Sequence, residues 1–108
     1  MAKTAKRLAG PAQVSNAAAT KYTAPASTTA VIRQVHIQNP SAAAVTFTMS
    51  IGADAAATRV FDAFSIPAAS TYDWYGYVVV AAAEIVQAFA GTNNILTLTI
   101  FGDELTPG

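Results

Sequence analysis

Val45-Thr46-Phe47-Thr48-Met49-Ser50-Ile51 alternates apolar and hydroxyl-bearing or small polar side chains without a break. Successive side chains of a β-strand point to opposite faces. Val45, Phe47, Met49 and Ile51 therefore share one face, and Thr46, Thr48 and Ser50 the other. The pattern predicts a strand over 44–51 with one face in a core and a hydroxyl face open to water.

Working outward, Asn39-Pro40-Ser41 and Gly52-Ala53-Asp54 supply turn residues on either side of that strand. Upstream, residues 30–38 read as a strand with Val31, Val35 and Ile37 on one side. Before it, 21–24 is a short edge candidate stopped by Pro25. Downstream, strands are expected over 59–66, 71–80, 84–90 and 95–101, the last pointing Leu96, Leu98 and Ile100 inward and Thr97 and Thr99 outward. Residues 102–108 read as a tail. The alanine triplets at 42–44, 55–57 and 81–83 read as tight connections between strands. Short strands at a spacing near ten, with no amphipathic helical run, define an all-β antiparallel β-sandwich. Jelly-roll connectivity is the preferred expectation and immunoglobulin-like connectivity the alternative.

Residues 1–20 follow neither the helical nor the strand period, and Gly10-Pro11 interrupts them. They are expected to form an extended N-terminal arm, ordered against another surface, with the sandwich domain occupying 21–108. Charge is distributed to match. Residues 1–50 hold Lys3, Lys6, Arg7, Lys21 and Arg33 and no acid, whereas Arg59 is the single base beyond them, among six acids. Such an arm is drawn to an acidic surface, which a neighbouring copy can present. Ordering a residue costs about 1–2 kcal/mol of backbone entropy, and an exposed ion pair returns at most about 1 kcal/mol. Leu8, Val14 and strand pairing must therefore add to Lys3, Lys6 and Arg7 in holding the arm. On this expectation the sandwich survives removal of 1–20.

The 108 residues are 53% hydrophobic and 11% charged, with zero net charge. Soluble domains commonly carry about 25% charged residues, so a surface this poor in charge suits a subunit covered by neighbours. Self-association, as a trimer, is the expectation. With no cysteine there is neither a disulfide framework nor a thiolate metal site. No run of 18 or more uncharged apolar residues appears, so no membrane-spanning helix is expected, and Lys3, Lys6 and Arg7 are followed by no apolar run of the kind a signal peptide needs.

Nothing in the chain suggests an enzyme. His36 is the single histidine, flanked by Gln34 and Gln38 on one strand face, and no nucleophile elbow accompanies it. Asp54, Asp62 and Asp73 lie in separate turns or strands and lack the spacing of a calcium loop. The six glycines are dispersed, which excludes a phosphate-binding loop. Bases and aromatics are segregated, contrary to a nucleic-acid face. No cofactor, nucleic-acid or membrane partner is therefore expected.

The segment richest in information is Tyr72-Asp73-Trp74-Tyr75-Gly76-Tyr77-Val78-Val79-Val80. Tyr72, Trp74, Gly76, Val78 and Val80 share one face; Tyr75, Tyr77 and Val79 share the other. In a two-layer sandwich one face enters the core, leaving the second for water, a partner or a ligand. Tyrosine serves protein interfaces because it combines large apolar area with a polar tip. Tyr75 and Tyr77 are thus interface candidates, and a carbohydrate-binding module is the rival, weakened by the lack of a neighbouring cluster of acids and amides to read sugar hydroxyls.

Over about 7–105 the chain resembles small structural proteins of tailed-bacteriophage virions, of the capsid decoration or minor head type. The resemblance rests on Arg7-Leu8-Ala9-Gly10-Pro11, Tyr22-Thr23-Ala24-Pro25-Ala26-Ser27-Thr28-Thr29, Ser50-Ile51-Gly52-Ala53-Asp54 and Arg59-Val60-Phe61-Asp62. It continues through Ile66-Pro67-Ala68, Asp73-Trp74 and Gln87-Ala88-Phe89-Ala90-Gly91-Thr92. It implies a non-enzymatic protein made in the host cytoplasm and placed on the capsid exterior, with the phage major capsid protein as partner and symmetric oligomers as its working form. A tail, collar or head–tail connector component is the nearest alternative.

Overall fold

A computed structural model of the chain describes residues 2–107. Eight strands follow one another: β1 (Ala2–Gln13), β2 (Ala19–Thr23), β3 (Thr29–Asn39), β4 (Val45–Ile51), β5 (Arg59–Ile66), β6 (Ser70–Val80), β7 (Ile85–Ala90) and β8 (Thr97–Thr106). A 3-10 turn, Ala56–Thr58, precedes β5. Two four-stranded sheets form, in the orders β1-β8-β3-β6 (sheet A) and β2-β7-β4-β5 (sheet B), and every strand pair is antiparallel. β1 pairs with β8, β2 with β7, β3 with β6 and β4 with β5. The chain is thus one long hairpin bent at the β4–β5 connection and rolled up, and the β8–β3 and β7–β4 contacts zip the roll into two sheets. This is jelly-roll order.

The core lies between the sheets. Ile32, Val35, Ile37, Leu98 and Ile100 face Phe47, Met49, Ile66 and Val86, all fully shielded from solvent. Side chains of this size each gain about 1.5–3 kcal/mol on burial. Among the described residues no buried side-chain polar atom lacks a hydrogen-bond partner.

Residues 1–20 differ from the expected arm. Ala2–Gln13 is the first strand of sheet A, and Ala19–Thr23 the first of sheet B, so a boundary at 20/21 cuts through β2. Leu8 and Val14 belong to the core instead of an interface. The acidic surface that attracts the basic segment is the chain's own C-terminal strand: Lys3 Nζ lies 4.0 Å from Asp103 and Lys6 Nζ 3.3 Å from Glu104. The reading of 102–108 as a tail changes with it, because β8 runs through Gly102 to Thr106. Gly102 keeps the strand regular by being small: a Cβ there would stand 2.0 Å from the Val31 carbonyl oxygen of β3.

Two faces also depart from simple alternation. Val31 was expected beside Val35 and Ile37, but a register shift between Ile32 and Gln34 changes the parity, so Ile32 enters the core cluster in its place. Thr48 and Ser50 are buried, not wet. The Thr48 hydroxyl accepts the Ala63 N–H at 3.0 Å and the Ser50 hydroxyl donates to Asp54 at 2.6 Å.

Ala63, Ala69 and Ala83 adopt left-handed φ angles of 50°, 51° and 65°. Each sends its N–H to a distant acceptor: the Thr48 hydroxyl, the Ser41 carbonyl and the Ala24 carbonyl, respectively. The conformation costs an alanine about 1 kcal/mol relative to glycine. All three residues are exposed, so no side-chain packing is lost, and only glycine's greater unfolded-chain entropy offsets part of the gain. Ala69→Gly and Ala83→Gly together are expected to raise stability by about 1 kcal/mol and the melting temperature by about 4 °C or more. An unchanged or lower melting temperature by calorimetry contradicts this.

Candidate functional site

The outer faces of the two sheets are unlike. That of sheet B is covered in part by its own β4–β5 connection, over Thr48 and Ser50. Arg59 grips Asp54 with two hydrogen bonds of 3.0 and 3.1 Å, reaches Asp62 at 2.9 Å, and stacks 5.6 Å above the Phe89 ring. The Arg59 hydrogen bonds hold the Asp54 carboxyl below the usual carboxylate range.

The outer face of sheet A has no such cover. Tyr75 is 70% exposed, Tyr77 63% and Val79 48%, and Phe101 on β8 joins them. β6 holds these side chains outward because its other face is anchored: Val80 is buried, and Tyr72, Trp74 and Val78 pack on the core. Gly76 is part of that anchor. A Cβ there would lie 2.4 Å from the Trp74 ring, so the indole occupies the space glycine leaves. Trp74 in turn meets Phe61 edge-on at 5.9 Å.

Polar groups on β3 surround the tyrosines. The Gln34 amide donates to Asp73 at 3.0 Å and to the Tyr75 hydroxyl at 3.3 Å. His36 Nδ1 lies 2.5 Å from Asp73 Oδ1, and this contact with His36 is the main reason the Asp73 carboxyl sits below its usual range. Arg33 stacks 5.1 Å over the Tyr77 ring and bonds Asp103 at 3.2 Å. Lys3 reaches the same carboxylate. The row Lys3, Asp103, Arg33, Tyr77 therefore crosses all four strands of sheet A.

Of the seven residues singled out from sequence, Tyr75 and Tyr77 stand together here, and Lys3 joins them through Asp103 and Arg33. Arg7 lies opposite Phe101 across the β1–β8 pair and is exposed. Lys6 turns the other way and, with the Tyr22 hydroxyl from sheet B, binds Glu104; Leu8 and Val14 are interior. Sequence reasoning missed Arg33, Gln34 and Asp73 as members of the face, since cross-strand neighbours are set by register.

Among the described residues no group of histidines and acids is placed to hold a metal ion, and no helix is long and apolar enough to cross a membrane. A shallow recess between residues 38–40 and 69–71 offers no free polar group from Asn39, whose amide is committed to backbone partners. The arrangement sets exposed aromatic rings beside an arginine, a carboxylate and an amide.

Glu104 joins the sheets at one end of the roll. The Tyr22 hydroxyl donates to one of its oxygens and Lys6 to the other. The Tyr22 bond is the main cause of a lowered Glu104 carboxyl, while burial pushes the Tyr22 hydroxyl up. A carboxyl held below its unfolded value stabilises the fold at neutral pH, and that contribution is lost as the pH falls below about 4. Asp54, Asp73 and Glu104 all act in this direction. Tyr22→Phe is therefore expected to cost about 1 kcal/mol at pH 7 and less at pH 3. Equal losses at both pH values in urea titrations contradict this.

Fold and face together define a jelly-roll sandwich with one open aromatic sheet face. Comparison with family models, with curated proteins and with solved structures gave no match.

Proposed function

We propose that the chain is a non-enzymatic structural protein of a tailed-phage virion: a capsid decoration protein that docks on the major capsid protein lattice through the outer face of sheet A. The observation that carries this reading is the open Tyr75–Tyr77–Val79–Phe101 face in a chain with 11% charged residues. Jelly rolls recur in viral shells, but a fold does not fix a function, so the argument rests on the face. Aromatic and arginine side chains are the groups that dominate protein interfaces. Arg33, stacked on Tyr77, supplies both. The protein is made in the host cytoplasm and ends on the capsid exterior; a tail, collar or connector position is the neighbouring possibility and uses the same face.

Co-sedimentation with the particles tests the reading. Tyr75→Ala/Tyr77→Ala alters exposed side chains and leaves the fold intact. Loss of about 2 kcal/mol at such anchors weakens binding at least tenfold. Undiminished binding by this variant contradicts the assignment of the face.

A carbohydrate-binding module is the second reading, and one observation favours it. The Gln34 amide, His36 and the Asp73 carboxylate stand beside Tyr75, where sugar hydroxyls need partners. A specific glycan-array signal that disappears in Tyr75→Ala would put this reading first.

A further inference from the structure

The two sheets leave four strands at their edges: β1 and β6 in sheet A, β2 and β5 in sheet B. Free edges invite pairing with another chain, and proteins block them with charges, prolines, bulges or short length. β1 carries Lys3, Lys6, Arg7 and Pro11 and two register shifts. β2 has five residues, with Lys21 among them and a shift beside it. β5 carries Arg59 and Asp62, two register shifts and the left-handed Ala63. β6 is eleven residues long, has no proline, and holds one charge, Asp73, already engaged by His36. Its one irregularity is at Gly76 and Tyr77, opposite Arg33. β6 is paired on one side by β3 and by no strand on the other among the described residues.

We infer that the β6 edge pairs with β6 of a second copy of this chain, antiparallel about a twofold axis at Tyr75. Identical strands meeting about a twofold are self-complementary, and zero net charge leaves the copies without mutual repulsion. The charges also match. Asp73 precedes Tyr75 by two positions, and Tyr77, with Arg33 stacked on it, follows by two. A twofold at Tyr75 therefore sets Asp73 of each copy against Tyr77 and Arg33 of the other. The exposed parts of Tyr75 and Tyr77 amount to roughly 200–300 Å² per copy. Strand pairing covers the β6 backbone edge and one flank of these rings in each copy and leaves their outer faces open. The result is an eight-stranded sheet with both tyrosine rows on one face. This arrangement is a pair in place of the trimer expected from composition, and it does not depend on the virion reading.

The absence of cysteine makes the test direct. In Tyr75→Cys the two cysteines face each other across the twofold at the roughly 4.5–5.5 Å Cα spacing of opposed antiparallel residues, within disulfide reach. Stacked sheets lie about 10 Å apart and cannot be bridged so. Mild oxidation is expected to link Tyr75→Cys into a species of twice 11.1 kDa, while Phe101→Cys, in mid-sheet, and Thr71→Cys, far from the axis, stay unlinked. Because Tyr75→Cys removes a contact, the unmodified chain is also sedimented: the expected mass is that of a pair, and Asp73→Arg raises its dissociation constant at least tenfold. A monomer at tens of micromolar with no Tyr75→Cys linkage overturns the inference. So does linkage of Phe101→Cys at the same rate. Particle binding is scored separately, so either proposal can fail alone.

Discussion

Deletion of Ala2–Gln13 will abolish the cooperative fold. β1 pairs with β8 at nine registered positions, from Ala2↔Thr106 to Gln13↔Thr97. Removing it takes Leu8 out of the core, at about 1.5–3 kcal/mol for burial alone, and frees Val14, whose N–H and carbonyl bond to Leu96 and Asn94. Asp103 loses Lys3 and Glu104 loses Lys6. β8, which carries Phe101 and has β3 as its other neighbour, becomes a sheet edge. Exposed apolar edges aggregate. The total approaches the roughly 5–15 kcal/mol that holds a domain together. The truncated chain is therefore expected to show no sharp thermal transition and to precipitate. Lys3→Ala and Lys6→Ala, in contrast, should each cost less than about 1 kcal/mol. A truncated chain that melts like the full one would show that the N-terminal segment is an appendage after all.

Asn39→Ala is expected to cost about 3 kcal/mol or more, lowering the melting temperature by about 10 °C or more. Asn39 ends β3 and is fully buried. Its amide nitrogen lies 3.0 Å from the Ala43 carbonyl, 3.0 Å from that of Ile66 and 3.2 Å from that of Pro67. Its oxygen accepts from the Ser41 N–H at 3.0 Å and the Ser41 hydroxyl at 2.7 Å. One side chain thus ties the β3–β4 turn to the β5–β6 connection, and alanine removes all five hydrogen bonds at once. Asn39→Asp keeps the shape but turns a donor into an acceptor facing three carbonyls. Burial raises that carboxyl above its unfolded value of about 3.9. The variant therefore keeps most stability below that pH and loses it as the pH rises, the reverse of the native carboxyls. An alanine variant within a few tenths of a kcal/mol of the native chain, measured by urea unfolding, contradicts this role.

The sequence showed the strands whose inner and outer faces differ in chemistry. β4, β5, β6 and β7 lie where alternation and turn residues place them, and β6 presents Tyr75 and Tyr77 outward as its period of two requires. β1 was not legible because an edge strand buries little: Leu8 is the one interior side chain among its twelve residues, and charges, Pro11 and two register shifts hide the rest. β8 was cut short because a glycine inside a strand looks like an end, whereas Gly102 is there to let β3 come close. The hydroxyl face of β4 was misjudged because the connection that follows the strand folds back over it through Asp54 and Arg59, which alternation does not show. Of the candidate site, the tyrosines were readable from one strand. Their partners Arg33, Gln34 and Asp73 depend on β3–β6 register, which periodicity does not encode.

The central claim is that this jelly roll is a virion component bound by the outer face of sheet A. Electron cryomicroscopy of the particle that carries it tests this most directly. The account predicts jelly-roll density on the outside of the shell, with Tyr75, Tyr77 and Phe101 against the major capsid protein. Particles that lack this density, or that hold the domain with those three side chains facing solvent, would contradict it.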